Sequence, residues 1–419
     1  MNILNKPRGT QDIYSPRSLI HHRIQQIITE ILHKNNYQPI IFPTFEFKEL
    51  FTDSLGSATD IVHKEMYIFQ DKKGRELALR PEGTASVARL VCQNKNKLTQ
   101  PGHPTKLYYW ANMFRYERPQ KGRYREFWQL GVELINAFGV IADYQLLKLI
   151  CNILEGLEIK TFIFQLNYLG SNVTKERYKN NLKNFIDKTN PDLCEDCQRR
   201  YKTNIFRILD CSVCKNKFNF PFYQSAWSVQ EKTYVKELTQ LLVNFNIPYQ
   251  WNYYLARGLD YYTGLVFEID LETEKAILGG GRYDELYKNI GGLDFPAIGF
   301  AIGIERLIEC LEKSQLLAIN KQVDVFFLAT ESNDYFDILS WKESLKKTSL
   351  IVEYNLEIKK NKFLSKIIEK YQPKLLILLK KDNESKQRAL IKFYQGEKKE
   401  ILVEKEKTID WICDYFKIK

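Results

Sequence analysis

The tightest constraint on the fold lies between residues 106 and 135, where two strand-like segments flank a long basic loop. Lys106 to Arg115 and Tyr124 to Ile135 both read as extended chain, and the loop between them holds Pro119, Gln120, Lys121 and Gly122. That arrangement predicts an antiparallel hairpin. Successive side chains of a strand point to opposite faces, so Trp128, Leu130, Val132 and Leu134 share one face and Phe127, Gln129, Gly131 and Glu133 the other. The first face is built for a core. The second offers an amide, a small gap and a carboxylate, and a mid-strand glycine has no use on a merely solvated face.

The rest of the 419 residues arranges itself around this hairpin. Residues 17 to 35 carry apolar side chains at helical spacing, and an apolar strand is expected through Ile40, Ile41 and Phe42 to Pro43. Between about residues 164 and 226 the composition turns polar and cysteine-containing, which reads as a helical insertion. Strands return at Gln250 to Ala256, Gly264 to Asp270 and Pro296 to Ile302. A polar stretch near Asn320 marks a boundary. Beyond it, strands at Val323 to Ala329, Leu350 to Tyr354, Leu375 to Leu379 and Ala389 to Tyr394 alternate with helices, the last opening at Thr408 as its cap. The expected fold class is α+β: an antiparallel-sheet core over 1–320, with the insertion, and a separate α/β domain over 321–419.

Inventory excludes several chemistries. All five histidines (His21, His22, His33, His63 and His103) lie in the first quarter, so no histidine triad or histidine-based metal site can be built from the middle or the end of the chain. No apolar run reaches eighteen residues and the first residues lack a secretory apolar stretch, so the expectation is a cytoplasmic protein with no membrane partner. The net charge of +11 suits a polyanionic partner, although a Lys-, Asn- and Ile-rich composition produces the same excess. Cys194-x-x-Cys197 and Cys211-x-x-Cys214 have the spacing of a tetrahedral zinc site, with ordinary cysteines as the alternative. Cys92, Cys151, Cys310 and Cys413 sit in apolar helical contexts and read as core.

Four segments carry candidate chemistry. In Arg80-Pro81-Glu82-Gly83-Thr84, a strand ends and a helix begins; Glu82 is expected to point into a cleft, and Thr84 to cap the helix. Arg115, Arg118, Arg123 and Arg125 cluster on the hairpin and its tip, where guanidinium forks match phosphate. In Arg257 to Gly264, the adjacent Tyr261 and Tyr262 are expected on opposite faces of an extended segment. Gly279-Gly280-Gly281 permits close backbone approach to a ligand but fits neither a dinucleotide fingerprint nor a P-loop. Gly303 then opens a helix bearing Arg306.

The ordered set PRGTQD, RPEGT, FRYERPQKGRYREFWQLGVE, ARGLDYYTG, GGGRYDEL and GFAIGIERL closely resembles the bacterial-type histidyl-tRNA synthetases, a family of class II aminoacyl-tRNA synthetases. The resemblance spans residues 6 to about 313; the HIGH and KMSKS signatures of class I are absent. It implies a homodimer formed through the segment ending at Pro43, with ATP, L-histidine and tRNA(His) as substrates and Mg²⁺ accompanying ATP. Glu82, Gly83 and Thr84 would bind the amino-acid ammonium, Gln129 and Glu133 would line the same pocket, and Tyr261, Tyr262 and Tyr283 would enclose the imidazole. Arg115 and Arg306 would hold ATP phosphates, with Arg123 and Tyr124 near the adenine. Arg257 would contact the α-phosphate and the carboxylate, and Gln120 the tRNA acceptor end. The C-terminal domain would bind the anticodon. Two alternatives remain open: an inactive relative of the kind that regulates histidine biosynthesis, and a non-catalytic nucleic-acid-binding protein.

Overall fold

The structure, a computed structural model, describes residues 4–56, 59, 61–100, 102–119, 122–209, 211, 213–214, 217–256, 261–271, 274–313, 323–357, 364–381, 387–394 and 399–418. The chain divides into two compact units, Met1–Ala318 and Ile319–Lys419.

In the first unit, helix α1 (Arg17–Lys34) buries Ile20, Ile24, Ile28 and Leu32 along one stripe, as its periodicity predicts. There follow β1 (Gln38–Pro39), β2 (Phe45–Phe47), α2 (Lys48–Leu55), β3 (Ile68–Gln70), β4 (Glu76–Leu79), α3 (Thr84–Gln93) and α4 (Lys95–Leu98). The hairpin is β5 (Thr105–Phe114) and β6 (Glu126–Ile135), and α5 (Gly139–Gly156) and β7 (Ile163–Tyr168) come next. Helices α6 (Asn172–Thr189), α7 (Glu195–Thr203) and α8 (Val229–Asn244) separate β7 from β8 (Tyr249–Trp251) and β9 (Thr263–Leu271). The unit closes with β10 (Glu274–Arg282), α9 (Leu286–Gly291), β11 (Ala297–Gly303) and α10 (Ile304–Lys313).

Eight of these strands form one sheet in the order β1-β5-β6-β11-β10-β9-β7-β8. Its inner pairings are antiparallel, and only the edge pairs β1–β5 and β7–β8 are parallel. Register explains where the cleft opens. Leu130, Val132 and Leu134 of β6 stand opposite Ile302, Phe300 and Ile298 of β11, one continuous buried apolar face. On the other face, Gln129, Gly131 and Glu133 stand opposite Gly303, Ala301 and Gly299, and β10 adds Gly279 and Gly281 beside Ala301 and Gly299. The centre of that face therefore carries almost no side chains.

Several expectations need correcting. The strand expected through residues 40 to 43 does not form: the ladder is confined to β1 just before it, Ile40 N–H makes a last bond to the Tyr108 carbonyl at 2.9 Å, and Pro43 lacks the N–H that a ladder needs. Ile41 is instead 95% exposed. The stretch assigned to the start of the insertion is β7, a strand of the main sheet whose Phe164 and Leu166 are fully buried. The expected strand at 250–256 covers only β8. The triple glycine belongs to a strand, β10: a Cβ on Gly280 would lie 2.2 Å from the Gly299 carbonyl oxygen and 2.7 Å from the Phe267 ring. Close packing of neighbouring strands, which outweighs poor strand propensity, requires that glycine.

The second unit holds β12 (Val325–Leu328), α11 (Asp334–Leu345), β13 (Val352–Tyr354), α12 (Leu364–Tyr371), β14 (Leu375–Lys381), β15 (Gln387–Phe393), β16 (Glu400–Glu404) and α13 (Thr408–Tyr415). Its five strands run β13-β12-β14-β15-β16. Strand β16 escaped the sequence reading because charged residues dominate its exposed face. Thr408 does not cap α13; it is the first helical residue, and its hydroxyl donates to the Glu404 carbonyl at 3.3 Å.

Candidate active site

The segment joining β4 to α3 is held by Arg80. Its guanidinium donates to the Asn112 carbonyl (2.8 Å), the Asn112 side chain (2.6 Å) and the Phe42 and Pro43 carbonyls (2.9 and 3.1 Å). Thus fixed, the chain turns Glu82 inward. The Glu82 carboxylate accepts the Thr84 and Ala85 backbone N–H groups, both at 2.7 Å, and so caps α3. Glu82 takes the role expected of Thr84, whose hydroxyl instead donates to Glu133 at 3.0 Å. Burial raises the Glu82 pKa, against the pull of those N–H donors.

Glu133 and Tyr283 form the centre of the polar pocket. Both are 1% exposed, and the Tyr283 hydroxyl donates to the Glu133 carboxylate. Burial pushes the Glu133 carboxyl up to about 8, with the Glu82 charge adding to the shift and the Tyr283 and Thr84 donors opposing it. The phenols of Tyr109, Tyr261 and Tyr283 are pushed well above their ordinary range by burial and by these carboxylates. Tyr261 lies 4.7 Å from Tyr262 and 5.6 Å from Tyr283 between ring centroids. The two adjacent tyrosines were expected to diverge; both line the cleft, because the chain turns there before entering β9. The Gln129 Oε1 is buried with no hydrogen-bond partner among the described residues, an acceptor left over for a ligand.

Cationic groups gather at the other end. The Arg115 Nε donates to the Pro81 carbonyl at 2.8 Å, and its guanidinium lies 5.3 Å from the Phe127 ring centroid. Arg306, on α10, donates from Nε to the Gly122 carbonyl (3.0 Å) and from Nη1 to the Ala276 carbonyl (2.8 Å), tying the hairpin tip to β10. Burial and the neighbouring Arg123 and Arg115 charges lower the Arg306 pKa. Arg123 pairs with Glu117 at 3.4 Å, and the Tyr124 hydroxyl donates to Glu309 at 3.4 Å. Glu305 accepts the Trp128 N–H at 2.9 Å and anchors α10 to β6.

All of this borders one cleft of ≈ 240 Å³, lined by Glu82, Thr84, Gln129, Tyr261, Tyr262 and Tyr283 at one end and by Arg115, Arg123, Tyr124 and Arg306 at the other. Gly83 and Glu133 stand immediately behind that lining. Gln120 and Arg257, both expected at the site, lie outside the described residues. The sequence reading missed Tyr109. Its ring fills the gap expected at Gly131 and also covers Gly83: a Cβ would lie 2.0 Å from its Cζ at Gly131 and 2.2 Å at Gly83. Gly131, in mid-strand on the face away from the apolar core, is the sequence signal for it. The four cysteines lie away from the cleft, their sulfur atoms all within 4.8 Å of one another.

An antiparallel sheet, an arginine hairpin and a glycine-floored cleft with carboxylates at one end define a class II aminoacyl-tRNA synthetase. A family model described as histidyl-tRNA synthetase matches residues 9–190 and 200–307, and the chain belongs to that family. The histidine–tRNA ligase of Mesoplasma florum is 38% identical over 94% of this chain and 91% of its own length. That of Bacillus subtilis is 36% identical over 96% of each. The crystal structure of apo histidyl-tRNA synthetase from S. aureus superposes with a TM-score of 0.78 at 29% identity, covering 98% of this chain and 100% of that one. The reaction is the ATP-dependent charging of tRNA(His) with histidine. Among the described residues no helix is long and apolar enough to cross a membrane.

Proposed function

We propose that the two ends of the cleft divide the substrates of this ligation between them, histidine at the carboxylate and tyrosine end and ATP at the arginine end. Glu82, Gly83 and Thr84 receive the ammonium group, Gln129 and Glu133 serve the same pocket, and Tyr261, Tyr262 and Tyr283 enclose the imidazole. Arg115 and Arg306 hold phosphates, Arg123 and Tyr124 border the adenine, Arg257 spans the α-phosphate and the carboxylate, and Gln120 meets the acceptor end of the tRNA. The observation that carries this reading is the buried Gln129 Oε1, which has no hydrogen-bond partner among the described residues and lies on the same face of β6 as the Glu133 that Tyr283 holds, within one cleft that also holds Arg115 and Arg306.

No protein nucleophile is required. The histidine carboxylate attacks the α-phosphorus in line and pyrophosphate leaves; a ribose hydroxyl of the terminal adenosine then attacks the acyl carbon and AMP leaves. Arginines fixed by carbonyls before substrate arrives stabilise the charge that develops, an effect worth about 3 kcal/mol per group. Mg²⁺ neutralises ATP phosphate charge when bound. Glu117, whose Oε2 pairs with Arg123 at 3.4 Å, and Glu268 line the same cleft and would supply the oxygen ligands it prefers.

The same reading gives Cys194, Cys197, Cys211 and Cys214 a structural zinc ion, the 321–419 domain the anticodon, the cytoplasm as its location, and a homodimer as the working form. Ile41, Phe45 and Phe47, exposed by 95%, 51% and 51%, are apolar surface of the kind a partner covers. The substrate division is tested by the KM values for ATP–pyrophosphate exchange. Arg306→Ala should raise the KM for ATP and Tyr283→Phe the KM for histidine, each about tenfold or more; the reverse pattern would overturn the assignment.

A further inference from the structure

Resting on the zinc reading of the four cysteines, we infer that the ion is the clamp that holds the insertion in shape and, through it, sets the position of Tyr262 in the histidine pocket. Cys194 occupies the N-cap position of α7 and Cys197 lies in its first turn, while Cys211 and Cys214 follow the turn Ile205–Ile208. Zn–S bonds of about 2.3 Å in a tetrahedron put sulfurs roughly 3.8 Å apart. The Cys194 and Cys211 sulfurs are 3.7 Å apart, and all four lie within 4.8 Å of one another. Backbone N–H groups already point at the sulfurs: Cys194 N–H donates to the Cys214 Sγ and Cys214 N–H to the Cys211 Sγ, both at 3.4 Å. Such donors, together with the positive end of α7 at Cys194, favour thiolates. The four sulfurs converge in an apolar surround of Leu193, Ile208, Leu209 and Phe220, the soft-ligand set and spacing of a tetrahedral metal site.

From the metal a continuous chain of contacts leads to the cleft. Tyr201, on α7, donates its hydroxyl to Asp187 on α6. Phe206, in the turn between the two cysteine pairs, stacks on Tyr178 of α6, which stacks in turn on Tyr223 at 3.9 Å. At the other end of α6, Lys175 Nζ donates to the Tyr262 carbonyl at 2.9 Å. Tyr262 lines the catalytic cleft. Releasing α7 and the turn that follows it removes two of the supports of α6, and α6 supports Tyr262.

The test measures metal and kinetics on the full-length protein purified under reducing conditions. Mass-spectrometric metal analysis should find one zinc per chain, and the Cys211→Ser/Cys214→Ser double variant should have lost it. Cobalt exchanged into the site should give the thiolate charge-transfer and red-region absorption of tetrahedral cobalt, a readout independent of activity. In ATP–pyrophosphate exchange, the double variant should show a KM for histidine raised about tenfold with little change in the KM for ATP. Should the variant not fold, protein stripped by a chelator and then restored with zinc gives the same comparison. Zinc bound but both KM values unmoved on its loss overturns the coupling and leaves the zinc reading standing. No zinc, and no cobalt spectrum, overturns both, while histidine-dependent exchange in that same protein shows the ligase unaffected.

Discussion

The Tyr283 hydroxyl donates its hydrogen bond to a buried Glu133 carboxyl group that receives a second donor from Thr84. Glu133 is thereby held in a single orientation behind the cleft wall. Burial raises its pKa to about 8, which favours the protonated form.

A raised carboxyl pKa has a definite consequence for stability. The native state holds a proton that the unfolded state releases above its ordinary value of 4.5, so this contribution is complete at lower pH and is lost as pH rises toward 8. The slope is up to about 1.4 kcal/mol per pH unit. Melting temperature should therefore fall from pH 5 to pH 8, and Glu133→Gln should flatten that fall. Glu305, raised to about 7, keeps a residual slope. A variant with an unchanged slope would show that Glu133 is ionised in the native protein.

Gly131→Ala places a Cβ 2.0 Å from the Cζ of Tyr109, a ring that is 2% exposed. Overpacking of this kind costs about 1–3 kcal/mol. Urea unfolding monitored by fluorescence should register that loss. A cost below about 0.5 kcal/mol would mean that Tyr109 does not occupy this position.

Arg115 uses its Nε on the Pro81 carbonyl, and its two Nη groups make no hydrogen bond among the described residues. They are available to a phosphate in fork geometry. Arg115→Lys substitutes a point charge for the fork and should lower kcat/KM for ATP about a hundredfold, nearly as far as Arg115→Ala. Rescue by lysine would reduce the role of Arg115 to net charge.

The exposed side chains of Ile41, Phe45 and Phe47 give the dimer a direct test. Sedimentation velocity should find the protein dimeric at micromolar concentration, and Ile41→Asp/Phe45→Asp monomeric. A monomeric wild type, or a variant that still dimerises, contradicts the assignment of this surface.

What could be read from sequence divides along physical lines. The hairpin and the two faces of β6 were legible because a period of two over Trp128 to Leu134 has one structural meaning. The glycine strand β10 was not, because the need for Gly280 arises from the Gly299 carbonyl on a neighbouring strand. Likewise β7 was hidden in polar surroundings, although Phe164 and Leu166 alternate correctly. At the site, residue types pointed to phosphate and carboxylate chemistry, and Arg115, Arg306, Glu82 and Tyr283 do border one cleft. The capping role of Glu82 was missed because Thr84 is the commoner cap; only the turn imposed by Arg80 gives the carboxylate that task.

The central claim, a cleft that activates histidine with ATP, is tested most directly by ATP–pyrophosphate exchange with each of the twenty amino acids in turn. Histidine alone should stimulate exchange. Stimulation by no amino acid would contradict the ligase activity, and stimulation by a different one would contradict the pocket built around Glu133, Gln129 and Tyr283.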